Sequence, residues 1–131
     1  MPIEYDIIED KQLVLAKGSG VVTGKDVIKH LDGLASDNKY KAPMKKLVDY
    51  RTVDSIQISS KEAESIALQK KSLTTIFAGE RCAFVSPGDL TYGTSRVHQS
   101  LVETAGLNTA VFRHLVDALE WLDVTLDMSL E

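Results

Sequence analysis

Lys46-Leu-Val-Asp-Tyr-Arg-Thr-Val-Asp-Ser-Ile-Gln-Ile-Ser-Ser-Lys-Glu62 passes from a compact apolar run to a capped helix start. Lys46 to Tyr50 reads as a buried strand, bounded by polar residues on its far side. Arg51 to Ser59 reads as a nine-residue loop. Ser59 and Glu62 are spaced as a capping box, in which the serine oxygen accepts from the third helical amide and the glutamate reaches back. Ala63, Ile66 and Ala67 then mark the inward face of that helix. A strand leading through a loop into a capped helix is the repeating unit of α/β domains.

The same alternation extends in both directions. Upstream, Ile3, Tyr5 and Ile7 alternate with Glu4 and Asp6, the period-two pattern of a half-exposed strand. Glu9-Asp10-Lys11 makes a short turn into a second strand, Gln12 to Val22, so the first two strands form an antiparallel hairpin. Gly18 and Gly20 interrupt the second run and predict a bulge. Thr23 and Asp26 cap a helix whose apolar face is Val27, Ile28, Leu31, Leu34 and Ala35, with His30 on the polar side. Downstream, Gly79 precedes a buried strand at Cys82 to Val85, and Ser86-Pro87-Gly88-Asp89 starts a third helix. Thr109 to Arg113 supplies a last strand, and Asp117 stands at capping distance from His114. Leu115, Ala118, Leu119 and Leu122 make the last helix amphipathic. The predicted order is β-β-α-β-α-β-α-β-α, an α/β domain with a mostly parallel sheet and one antiparallel edge strand.

The 131 residues suit one domain spanning 1–131. Lys and Arg number 15 against 19 Asp and Glu, giving a net charge of −4, and lysine pairs such as Lys45-Lys46 are scattered rather than striped. Nucleic acid is therefore not the expected partner. No apolar run reaches the length of a transmembrane helix. The acidic start and the single cysteine fit a cytoplasmic protein that is not an integral membrane protein. Cys82 sits mid-strand and reads as an inert buried thiol. His30, His98 and His114 lack the spacing of a metal site. No nucleophile elbow, Walker loop or dinucleotide fingerprint occurs. The expectation is a non-enzymatic protein with no metal and no cofactor.

Open α/β sheets place ligands beyond the carboxyl ends of their strands, which singles out the segment from Asp49 to Ser60. There Ser59, Ser60 and Arg51 form a candidate phospho-acceptor or anion site at a helix N-terminus. Asp49, Tyr50, Tyr92, Gly93 and Arg96 form a candidate ligand or partner surface. Serine is also among the commonest N-caps, so Ser59 has a purely structural reading as well. The tail from Val124 to Glu131 alternates apolar and polar residues. It reads as an edge strand able to pair with a second copy, as further turns of the last helix, or as a frayed end.

The chain resembles the SpoIIAA-like family of small bacterial proteins, also described as STAS/SEC14 domain-containing. The resemblance is carried by Lys46-Leu-Val-Asp-Tyr-Arg51, Ile58-Ser-Ser-Lys-Glu62, Ala83-Phe-Val-Ser-Pro-Gly-Asp-Leu-Thr-Tyr-Gly93, and the ending from Val111-Phe-Arg to Ala118-Leu-Glu-Trp-Leu122. It implies a four-turn right-handed β-α superhelix with an extra edge strand. STAS relatives include anti-sigma-factor antagonists, switched by phosphorylation of a serine in an Asp-Ser-Ser-Gly motif at a helix start. Gln57-Ile58-Ser59-Ser60 lies at that place here, so Ser59 is retained while the aspartate and glycine are not. The resemblance implies a regulatory or protein-interaction module, acting as a homodimer or on a protein partner. Its SEC14 side implies the alternative of an apolar small molecule or lipid, held between the third helix and the sheet.

Overall fold

The computed structural model describes residues 2–88 and 108–126. Strand β1 (Ile3–Ile8) turns through a short 3-10 segment, Glu9–Lys11, into β2 (Leu13–Thr23). Helix α1 (Gly24–Ala35) leads to β3 (Lys45–Gln57), and α2 (Ser60–Ser72) leads to β4 (Arg81–Val85). Strand β5 (Asn108–Phe112) and helix α3 (Leu115–Leu122) follow. Among the described residues the strands form one sheet in the order β1-β2-β3-β4-β5. β1 runs antiparallel to β2, and every other pairing is parallel. The predicted hairpin, parallel sheet and antiparallel edge are all present. The expected third helix, from Asp89, lies outside the described residues.

Successive strand residues point to opposite faces, and the sheet buries both. On one face Val14 packs with Leu31 and Leu34 of α1 and with Ile66 of α2. Val48, Tyr50 and Cys82 extend the same side across β3 and β4. On the other, Leu47, Ala83 and Val85 pack under Ala118, Leu119 and Leu122 of α3. This two-sided cover accounts for the apolar runs Leu47-Val48 of β3 and Cys82-Ala83-Phe84-Val85 of β4, where no polar residue alternates.

The principal difference from the sequence reading lies after Tyr50. Of the expected loop Arg51 to Ser59, Arg51 to Gln57 is strand, since β3 continues to Gln57 and pairs with Ser19–Thr23 of β2. The register slips between Lys17 and Ser19 and again between Gly20 and Val21, at the glycine pair that predicted a bulge. With those slips the polar run of β3 still finds ladder partners on β2. β4 matches β3 only from Lys45 to Asp49, so Tyr50 to Gln57 continues beyond it as a two-stranded ribbon with β2.

Gly18 marks a close approach. A Cβ there would lie 2.7 Å from Cδ1 of Tyr50 and 3.0 Å from Cγ2 of Val53. Gly18→Ala is expected to lower stability by about 1–3 kcal/mol, the usual range for overpacking. Gly33, exposed on α1 with open space around the same position, is the contrast. Gly33→Ala should raise stability by up to about 1 kcal/mol, because alanine is the better helix former. Urea unfolding of both variants tests the pair, and equal effects would contradict this packing.

At the other end of the chain, α3 stops at Leu122 because Asp123 adopts a left-handed conformation, φ 56°. The reading of the tail as further helix is thereby corrected. Val124 and Leu126 instead lie back on the α3 side of the core. Lys45 Nζ donates to the Asp123 carbonyl at 3.1 Å, and Lys11 Nζ donates to the Thr125 carbonyl at 3.2 Å. Residues 127–131 fall outside the described residues. His114 is the N-cap of α3 without a side-chain cap bond, so the expected His114–Asp117 pairing is not formed.

Candidate functional site

At the carboxyl ends of β2 and β3, Thr23 and Gln57 are register partners. Two helices therefore begin side by side, and both begin with full capping boxes. Thr23 Oγ1 accepts from the Asp26 amide at 3.3 Å, while the Thr23 amide donates to Asp26 Oδ2 at 2.8 Å. Ser59 Oγ accepts from the Glu62 amide at 3.1 Å, and the Ser59 amide donates to Glu62 Oε1 at 3.0 Å. A carboxylate thus already occupies each positive helix end. The Glu62 carboxylate also lies over the start of α1, where a Cβ on Gly24 would come within 2.6 Å of Oε2. Ser59 and Ser60 are both exposed.

Arg51 belongs elsewhere. Its guanidinium grips Asp49, with Nη2 to Oδ2 at 2.9 Å and Nε to Oδ1 at 3.0 Å, and its amide donates to the same Oδ1. Burial alone would raise the Asp49 pKa, but the Arg51 hydrogen bonds and charge outweigh it and hold the carboxyl below its usual range. Six strand positions separate Arg51 from Gln57, a span of roughly 20 Å at the rise of a strand. Arg51 and Ser59 do not converge, and the three-residue anion site expected from sequence is not assembled. Tyr50 is buried, its ring edge-on to Phe84 at 5.7 Å between centroids. Tyr92, Gly93 and Arg96 lie outside the described residues. What the carboxyl end presents is a protruding ribbon with Thr52, Asp54 and Gln57 exposed, leading directly into Ser59 and Ser60.

Sequence reasoning missed a second group of polar residues, inside the protein. His30, expected on the polar face of α1, is buried, as are Lys46 of β3 and Lys70 of α2. The spacing carried the signal: Lys46 shares parity with Val48 and Tyr50, and Lys70 lies four residues after Ile66. His30 falls three residues after Val27 and four before Leu34. Burial pushes the His30 pKa down to about 2, helped by the positive charges of Lys46 and Lys70. Burial also depresses Lys46, and it raises the Cys82 thiol, in keeping with an inert cysteine.

The sheet order, the antiparallel edge strand and the helices on both faces define a SpoIIAA-like α/β fold. Among solved structures the chain is similar to an uncharacterized protein of the DUF3478 family with a SpoIIAA-like fold, from Shewanella loihica PV-4. The two share 21% identity over 92% of this chain and 91% of that one, with a TM-score of 0.57. At that identity the likeness establishes the fold. No family model matches the sequence, and no curated protein matches it. Among the described residues no helix is long and apolar enough to cross a membrane.

Proposed function

We propose that this protein is a non-enzymatic interaction module of STAS type. It binds a protein partner through the ribbon of β2 and β3 and through Ser59-Ser60. The observation that carries this reading is the extension of β3 eight residues past its last pairing with β4, ending at an exposed serine N-cap. Such a ribbon offers backbone groups and exposed side chains to a docking chain.

Ser59 supplies a switch within that surface. A phosphoryl group on its oxygen would sit at the positive end of α2. It would also repel the Glu62 carboxylate, which now bonds the Ser59 amide. Glu62 would then leave its seat over Gly24, carrying the charge change to the start of α1.

The test places a photo-crosslinking residue at Thr52 or Asp54, and as a control at exposed Val116 of α3, in the protein's own cells. Crosslinks to one discrete partner or to a second copy are expected at Thr52 and Asp54. They should weaken when Ser59→Asp is added, while circular dichroism shows the fold retained. Crosslinks equal at all three positions, or unaltered by Ser59→Asp, would overturn the proposal.

A further inference from the structure

Gly24 opens α1 and is buried, yet its backbone does not call for glycine, since among the described residues the glycines with positive φ are Gly20 and Gly79. Alanine would be the better helix former at that place. What excludes a side chain is Glu62 of the neighbouring helix. A Cβ on Gly24 would lie 2.6 Å from Oε2, 2.8 Å from Cδ and 3.2 Å from Cβ of that glutamate. The other carboxylate oxygen, Oε1, accepts from the Ser59 amide at 3.0 Å, and the Glu62 amide donates to Ser59 Oγ at 3.1 Å. One side chain thus completes the cap of α2 and fills the space beside the first residue of α1. The cap of α1 differs. Asp26, one methylene shorter, completes a capping box there, and its Oδ2 accepts from both the amide and the hydroxyl of Thr23. Capping alone therefore does not need the longer residue at 62. Further along, Gln69 Nε2 donates to Asp32 Oδ1 at 2.8 Å, and Ile66 packs with Leu31 and Leu34. These contacts pin the two helices together away from their starts.

We propose that Glu62, seated over Gly24, is a lock between Ser59 and the start of α1, and that the partner surface has a locked and an unlocked form. The proposal rests on the interaction-module reading above and adds what regulates it. With Glu62 seated, the first turns of α1 and α2 are held together through its side chain, and Ser59 keeps both capping bonds. With Glu62 unseated, the Ser59 amide loses its acceptor and the space beside Gly24 opens. The Gln69 and Ile66 contacts meanwhile keep the rest of the helix pair in place. The coupling is reciprocal. A charge placed on Ser59 frees the start of α1, and a group that takes the space over Gly24 loosens the cap at Ser59. Gly24 is thus a positioning residue for Ser59, acting through Glu62.

The test compares the wild type with Gly24→Ala, which drives Glu62 from its seat without altering any charge. The two nearest atoms, Oε2 and Cδ, end a flexible side chain that can rotate away, so circular dichroism should show the fold retained. By amide-resolved hydrogen exchange, Ser59 should exchange about tenfold faster in Gly24→Ala, the worth of one hydrogen bond to a charged group. In Ser59→Asp the amide NMR signals of Gly24 and Lys25 should move. Glu62→Asp keeps a residue able to cap, as Asp26 does in α1, but too short to hold the seat. Adding Gly24→Ala to it should leave Ser59 exchange unchanged. Ser59 exchange that ignores Gly24→Ala, or that is equally accelerated in the Glu62→Asp background, overturns the lock. So do Gly24 and Lys25 signals that stay fixed in Ser59→Asp. The crosslinks from Thr52 and Asp54 separate the lock from the module reading, since Gly24→Ala should weaken them as Ser59→Asp does. Weakening by Ser59→Asp alone overturns the lock and leaves the module standing. Coupled amides without any discrete crosslink sustain the lock and overturn the module.

Discussion

Lowering the pH from 7 to 5 in chloride-only buffer is expected to remove about 2 kcal/mol of stability through His30 alone, and His30→Leu is expected to abolish that loss. The folded protein holds this imidazole neutral, its pKa lowered from 6.5 to about 2 by burial and by the charges of Lys46 and Lys70. The unfolded chain titrates near 6.5. Between those values the unfolded state binds more protons, so stability falls as the pH drops through 6.5 toward 2. At pH 5 the shortfall is about 1.5 pH units, and each unit is about 1.4 kcal/mol. Any folded-state value well below 5 gives the same result. At pH 7 the leucine variant should be at least as stable as wild type, because it removes two buried nitrogens that have no hydrogen-bond partner among the described residues. Urea unfolding at the two pH values decides the matter. A variant that keeps the wild-type slope would show that some other group governs the acid limb.

The second large effect has the opposite sign. Lys46→Met is expected to stabilise the protein by about 1–4 kcal/mol in chloride-only buffer, by analogy with the range found when buried ion pairs give way to well-packed apolar side chains. Methionine follows the stem of lysine closely and replaces only the ammonium group. Burial lowers the Lys46 pKa from its ordinary 10.5, so the folded state releases this proton before the unfolded state does. The wild type should therefore gain stability as the pH rises toward 10.5, and the variant should lack that gain. Measured unfolding free energies at neutral and alkaline pH test both statements. Destabilisation by Lys46→Met would mean that its ammonium group is well satisfied where it lies.

The contrast between these residues and the rest of the core shows what the sequence makes legible. β1, β4 and α3 followed from hydrophobic period, and both capping boxes followed from residue type and spacing, because those signals are local. The far half of β3 did not. Thr52, Asp54 and Ser55 resemble loop residues, and their ladder partner is a strand that slips register at Gly18 and Gly20. That pairing is non-local, and no window along one strand contains it. His30, Lys46 and Lys70 were hidden for a different reason. The spacing of Lys46 and Lys70 points inward while their polarity argues for solvent, His30 reads as part of the polar face of α1, and burial is decided by helices packing over the sheet from elsewhere in the chain. Ser59 was found by sequence as a cap. Its separation from Arg51 emerged only once the intervening residues proved to be an extended strand.

Native mass spectrometry of the protein purified from its own cells tests the interaction-module account most directly. The account predicts a species carrying one phosphoryl group that survives denaturation and maps to Ser59. Chains with unmodified Ser59 that retain an apolar molecule until denatured would contradict the account and identify a carrier instead.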